Sequence, residues 1–198
     1  IDILLGTQMV AKGLNFPNLK LVGVVMADMG LNMPDFRSAE RTFSLITQVA
    51  GRAGRFFPDG KVIVQSFSPN REAIAYACKS DVAGFYRQEV QQRELLGFPP
   101  FSRLVRLVFR SSHQAEAQEA AHRTAKILFN EIKGHGLLVD LLGPSECPLA
   151  MIAANHRWQV MLRAKEIAPL QRLCQRIVYG HKTPKVYIEV DVDPINLL

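Results

Sequence analysis

Short apolar runs and helical periodicity alternate over the first 66 positions. Ile1–Leu5 is continuously apolar and breaks at Gly6-Thr7, so it reads as a buried strand followed by a turn into a short helix. Gly13 and a loop ending at Pro17 come next. Leu21–Ala27 (Leu-Val-Gly-Val-Val-Met-Ala) is β-branched and shows no alternation, the pattern of a strand covered on both faces. Ser38 is suited to cap a helix, and Glu40 lies in its first turn, where a carboxylate meets the positive end of the dipole. Ala39, Phe43, Ile46 and Ala50 then recur at helical spacing, with Gly51 near the end. Lys61–Ser66 returns as a strand. Strand, helix, strand, helix, strand predicts an α/β unit with a parallel sheet, though only part of one.

Residues 69–98 read as a helical connector, opened by Pro69 and closed at Gly97-Phe98-Pro99-Pro100-Phe101. A second pattern starts beyond it. Val105, Leu107 and Phe109 alternate with Arg106 and Arg110, and a helix over about 113–133 carries Ala117, Ala121, Ala125, Leu128 and Ile132 on one face. Leu137–Leu142 reads as a strand. In Arg157–Arg163, Trp158, Val160 and Leu162 point inward. Leu170, Leu173, Cys174 and Ile177 stripe a last helix, and Val186–Val192 alternates as the closing strand. The order βαββαβ predicts a small α+β sandwich with helices on one sheet face. The domain boundaries that follow are 1–68, 69–101 and 102–198.

Composition narrows the function classes. With 48% hydrophobic and 21% charged residues the chain is globular, and no apolar run reaches the length of a membrane span. Lys and Arg number 24 against 18 Asp and Glu, and the surplus of +6 suits a polyanionic partner without requiring one. Cys78, Cys147 and Cys174 are far apart and form no Cys-x-x-Cys pair, which argues against a structural zinc within this chain. No secretory leader is visible, so the expected location is cytoplasmic. Because the sequence opens without Met and inside an apolar run, it reads as a piece of a longer polypeptide.

Chemistry concentrates in Gln48-Val-Ala-Gly-Arg-Ala-Gly-Arg55. Two arginines three apart, each preceded closely by glycine, can reach a phosphate bidentately, although a glycine-rich turn with solvated arginines would look the same. Upstream, Gly6-Thr7-Gln8-Met9-Val10-Ala11-Lys12-Gly13-Leu14-Asn15-Phe16-Pro17 follows a strand, where backbone N–H groups and a hydroxyl suit a nucleic-acid phosphate.

Together these segments resemble motifs V and VI of superfamily 2 helicases. The longer string through Asp28, Met33–Phe43 and Gln48–Arg55, with Arg93–Phe101 and Glu189–Pro194, resembles the primosomal protein N′ family of replication-restart DNA helicases. The resemblance implies the end of a second RecA-like lobe, a connector, and a C-terminal domain that binds DNA and partners. It implies that Arg52 and Arg55 stabilise charge on the γ-phosphate of ATP, that Gln48 couples to the nucleotide, and that Gly13, Asn15 and Gly51 lie at the nucleotide cleft. Gly6 and Thr7 would touch the DNA backbone. No phosphate loop and no Asp-Glu pair are visible, so the segment alone should not hydrolyse ATP. Magnesium, ATP and the family's zinc would be held by the longer protein.

In the second unit Arg106, Arg110, Arg157 and Arg163 share the sheet face away from the core, which can follow phosphates or simply be solvated. By resemblance, Gln171 and Arg172 on the last helix would dock the acidic tail of single-stranded-DNA-binding protein. The implied activity is ATP-dependent 3′-to-5′ unwinding at forked or single-stranded DNA, with other primosome proteins as partners and no membrane. Another superfamily 2 DNA or RNA translocase, or a non-catalytic nucleic-acid-binding remnant, remains an alternative at this point.

Overall fold

The computed structural model describes residues 3–7, 19–53, 59–180 and 185–197. The chain divides into two compact units, Ile1–Gln92 and Arg93–Leu198.

In the first unit, β1 (Leu21–Val24) pairs in parallel with β2 (Lys61–Val64), in the register Leu21↔Lys61 to Val24↔Val64. Between them lie α1 (Asp28–Leu31) and α2 (Ser38–Ala53). α2 starts where it does because Asp35 organises the turn before it. Its carboxylate accepts the Arg37 N–H at 2.9 Å and pairs with the Arg41 guanidinium at 2.9 Å, while its carbonyl accepts the Ser38 N–H. Phe43 and Ile46 then face inward. α3 (Glu72–Cys78) and α4 (Val82–Leu96) follow.

The core gathers Ala27, Leu31, Phe43, Ile46, Ile74, Ala77 and Phe85, with Val24 and Val64 against it from the sheet. Phe43 stacks on Phe85 with the rings nearly parallel and the centroids 4.1 Å apart. Gly30 permits the close approach of α1 to α2: a Cβ there would lie 2.5 Å from the Thr42 hydroxyl. Among the described residues this core covers one side of the β1–β2 pair, where the run Leu21–Ala27 predicts cover on both.

The second unit has the order β3 (Arg103–Ser111), α5 (Gln114–Gly134), β4 (Asp140–Ile152), β5 (Asn155–Ala164), α6 (Ile167–Gly180), β6 (Tyr187–Val192). Its four strands are antiparallel in the order β4-β5-β3-β6. Val105, Leu107, Phe109, Val160 and Leu162 form the inner face, against Ala121, Leu128, Leu170, Leu173 and Ile177 of the helices. The expected alternation is therefore realised, with Trp158 packed at the margin of the same cluster.

Two features depart from the sequence reading. β4 runs on to Ile152, past Gly143, Pro144 and Pro148, with register shifts between Leu142 and Ser145 and between Glu146 and Met151. Proline and glycine masked this strand because bulges carry them out of the ladder. The β4–β5 loop is the residue pair Ala153-Ala154, with φ of 48° and 60°. Two-residue hairpin loops demand this left-handed geometry, for which glycine or asparagine is the usual solution.

Cys78 is exposed, whereas Cys147 and Cys174 are buried. Burial pushes the Cys174 thiol up to about 11. It also raises Cys147, against the opposing pull of Arg106 and Arg157. Among the described residues no helix is long and apolar enough to cross a membrane, and no group of His, Cys, Asp and Glu is arranged to hold a metal ion.

Candidate functional site

The chemistry-bearing motif of the first unit occupies the last turns of α2. Gln48 and Arg52 are four apart and so share a helix face, with Gly51 beside them. Gln48 and Gly51 are exposed, and a Cβ on Gly51 would meet nothing within 4 Å, so an approaching group has room. Arg52 is half-buried and sits in the final turn, where a cation is favoured by the helix dipole. Gly6 and Thr7 are exposed and belong to no strand or helix. Gly13, Asn15 and Arg55 lie outside the described residues.

Asp28, left without a role by its sequence context, is a structural tether. Its carboxylate accepts the Ser66 hydroxyl at 2.9 Å, the Phe67 N–H at 2.8 Å and the Ser68 N–H at 3.2 Å. Partial desolvation, the largest single influence, works to raise its pKa. The Phe67, Ser66 and Ser68 hydrogen bonds together outweigh it and hold the carboxyl below its ordinary value. The turn so fixed borders a cleft of about 680 Å³ lined by Leu31, Phe67, Asn70, Arg71, Glu72 and Gln92. None of the candidate catalytic, nucleotide-binding or DNA-binding residues read from the sequence lines it.

In the second unit, the outer sheet face carries the four arginines in the expected places, but it is not an open cationic surface. Arg106 is 3% exposed: its Nε donates to Gln159 Oε1 at 2.7 Å and its Nη1 to the Asn196 carbonyl at 3.4 Å. Arg157 is 8% exposed and donates to the Leu149 carbonyl at 3.2 Å, closing the bulge of β4. The segment after β6 covers this face. Asp193, at φ 50°, turns the chain back, pairs with Arg103 and accepts the Leu104 N–H at 3.1 Å. Beyond it Leu197 is buried.

Arg110 and Arg163 are more accessible. Arg110 lies 3.6 Å from Glu189 and stacks over Tyr187, with its guanidinium carbon 4.7 Å from the ring centroid. Arg163 pairs with Asp140 at 2.8 Å and donates to the Leu96 carbonyl at 2.6 Å. Asp191 stands opposite Arg106 in the ladder. Acidic residues on β4 and β6 thus offset much of the positive charge. Strand-by-strand reading missed this because it weighed each strand's cations without the neighbours that register brings beside them.

On α6 the stripe Leu170, Leu173, Cys174 and Ile177 is buried, which leaves Gln171 and Arg172 exposed on the opposite side. Arg176, one turn on, is ion-paired with Glu131 of α5.

A family model described as Primosomal protein N C-terminal domain matches residues 94–195, more than half of the sequence. The chain belongs to the primosomal protein N family. Its similarity to curated members extends further than that domain. The Replication restart protein PriA of Treponema pallidum (strain Nichols) is 47% identical over 199 residues, covering 100% of this chain and 30% of the relative. The proteins of the same name from Borreliella burgdorferi and Bacillus subtilis (strain 168) are each 39% identical and also cover 100% of this chain. The chain spans 25–30% of the length of these primosomal protein N relatives. Since the alignments run through both units, they include the α2 motif as well as the four-stranded domain.

Proposed function

We propose that this chain works in replication restart as part of a longer ATP-dependent DNA helicase. It would supply the end of a second RecA-like lobe together with a C-terminal domain that engages forked or single-stranded DNA. The observation that carries the reading is the 47% identity to a replication restart protein through every position of the chain. Gln48 and Gly51, exposed near the end of α2 beside the half-buried Arg52, support it, since a guanidinium at a helix end can bond a phosphate bidentately.

In this reading Arg52 and Arg55 face the γ-phosphate and offset the charge that develops there. Gln48 positions them, and Gly13, Asn15 and Gly51 keep the cleft narrow. Gly6 and Thr7 contact the DNA backbone. When bound, magnesium-ATP supplies the phosphoryl chemistry, and its phosphate loop belongs to another part of the longer protein. Zinc also belongs elsewhere, since the three cysteines here are separate. Direction of travel, 3′-to-5′, and a cytoplasmic setting follow from the family resemblance rather than from these residues. Arg110 and Arg163 are the phosphate contacts of the outer sheet face, with Arg106 and Arg157 supporting them from beneath. Gln171 and Arg172 receive the acidic tail of single-stranded-DNA-binding protein, and other primosome proteins join there.

The test is Arg55→Ala in the longer protein. DNA-stimulated ATP hydrolysis should fall by roughly a thousandfold, the scale of losing an arginine finger, while fork affinity measured by anisotropy stays within about twofold. Normal turnover would overturn the assignment.

A further inference from the structure

The second unit has two sheet edges, and they are built differently. The outer edge of β4 is interrupted by Pro144, Pro148 and two register shifts, the devices that blunt an edge against further pairing. β6 has none of them. Its ladder with β3 is unbroken from Tyr187 to Val192, and it contains no proline. Among the described residues no backbone group outside the sheet bonds to the β6 edge. α5 and α6 pack mainly on β3, β4 and β5, which leaves β6 at the margin of the helix layer. Tyr187 is 61% and Val192 47% exposed, and Ile188 and Val190 are only partly covered.

The side chains along this edge sort cleanly by face. Ile188, Val190 and Val192 stand beside Phe109, Leu107 and Val105 on the apolar side. Glu189 and Asp191 stand on the other, beside Val108 and Arg106. Glu189 remains about half exposed, with its nearest cation, Arg110, at 3.6 Å.

We propose that the edge of β6 is a docking site for an extended segment of a partner protein in which apolar residues alternate with lysine or arginine. An added strand would satisfy the free N–H and C=O groups of Tyr187–Val192, extend the apolar face through Ile188 and Val190, and place its cations beside Glu189 and Asp191. The same carboxylates exclude a second copy of this chain. In the register that keeps the valines on one face, Glu189 and Asp191 of one copy would stand beside those of the other, and like charges side by side on a sheet repel. The edge therefore admits a basic strand and rejects its own.

A labelled ten-residue peptide of alternating lysine and valine, titrated into the intact chain and followed by fluorescence anisotropy, tests this. It should bind saturably, and hydrogen exchange should slow at the β6 amides. An aspartate–valine peptide should bind at least about tenfold more weakly. Methylating alternate backbone nitrogens of the lysine peptide should abolish binding, because it removes strand pairing and leaves the charges. Glu189→Lys with Asp191→Lys should reverse the preference between the two peptides, whereas Glu119→Lys, at an exposed acid on α5 paired with Arg123, should leave it unchanged. Equal binding of the methylated peptide, protection outside β6, or no binding at all would each overturn the proposal. Concentration-dependent self-association through β6 without peptide would also overturn it, by assigning the edge to a second copy. Because the methylated peptide is tested on the unaltered protein, the outcome does not depend on the double variant folding.

Discussion

In Arg93–Leu198 four strands and two helices close around Leu107, Phe109, Val160, Leu162 and Leu170, each without measurable exposure. Among the described residues of Ile1–Gln92, the two parallel strands are covered on one side only. Leu21 and Ile63 remain 56% and 60% exposed on the other. The contrast separates two ways of holding a sheet. The second unit draws its cohesion from strand-to-helix burial. The first draws more of it from aromatic stacking between helices and from two buried or tethering carboxylates, Asp35 and Asp28. Different substitutions should therefore damage the two units.

The largest effect is expected in the second unit. Phe109→Ala should cost it about 4 kcal/mol, as truncation of a buried aromatic does, seen as a lower urea midpoint in the fluorescence of Trp158, the single tryptophan. If the first unit were folded through the second, its helical signal would be lost at the same urea concentration. Separate transitions would sharpen the distinction. Next comes Asp35→Ala, which removes both the Arg41 ion pair and the hydrogen bond that starts α2. About 2 kcal/mol should be lost from the first unit, read by circular dichroism, with the Trp158 transition unmoved.

A gain is expected at the β4–β5 loop. Ala153→Gly should stabilise the second unit by about 1 kcal/mol, because glycine accepts the positive φ that alanine bears there. An unchanged or lower midpoint would show that the loop does not hold this strain in solution. The smallest effect concerns acid. The Asp28 pKa is lowered on folding, so its contribution is present above the ordinary value of 3.8 and fades as pH falls from there through the lower folded value. Asp28→Asn should flatten that part of the acid unfolding curve of the first unit, and an identical curve would show that the tether does not act.

These contrasts also mark what the sequence made legible. Period-two patterning located β3, β5 and β6 to within two residues at either end, because one face of each is buried and the alternation survives in the letters. Helical stripes located α2, α5 and α6 for the same reason. Three things were not legible. The extension of β4 beyond Leu142 was hidden, since its continuation is a bulged edge with prolines. The exposure of one side of β1 and β2 among the described residues was hidden too, because Leu-Val-Gly-Val-Val reads the same whether or not a second layer covers it. The accessibility of the arginines was the third. Arg106 and Arg110 look alike on paper, yet the turn at Asp193 buries one beneath the following residues and leaves the other beside Glu189. Register and chain reversal decide that, and neither is written in local spacing. The α2 motif was legible as the end of a helix carrying Gln48, Gly51 and Arg52, and the phosphate chemistry read from it is the proposal that Arg55→Ala tests.

The distribution of thiols gives the molecule a built-in clock. Cys78 is exposed at the end of α3, while Cys147 and Cys174 lie buried in the other unit, with Cys174 raised to about 11. A thiol-specific dye at neutral pH should modify the first within its ordinary reaction time and reach the other two only when the four-stranded sheet opens. The slow phase of labelling would then measure how often that domain breathes, without any engineered probe, while the fast phase places a single reporter on its neighbour.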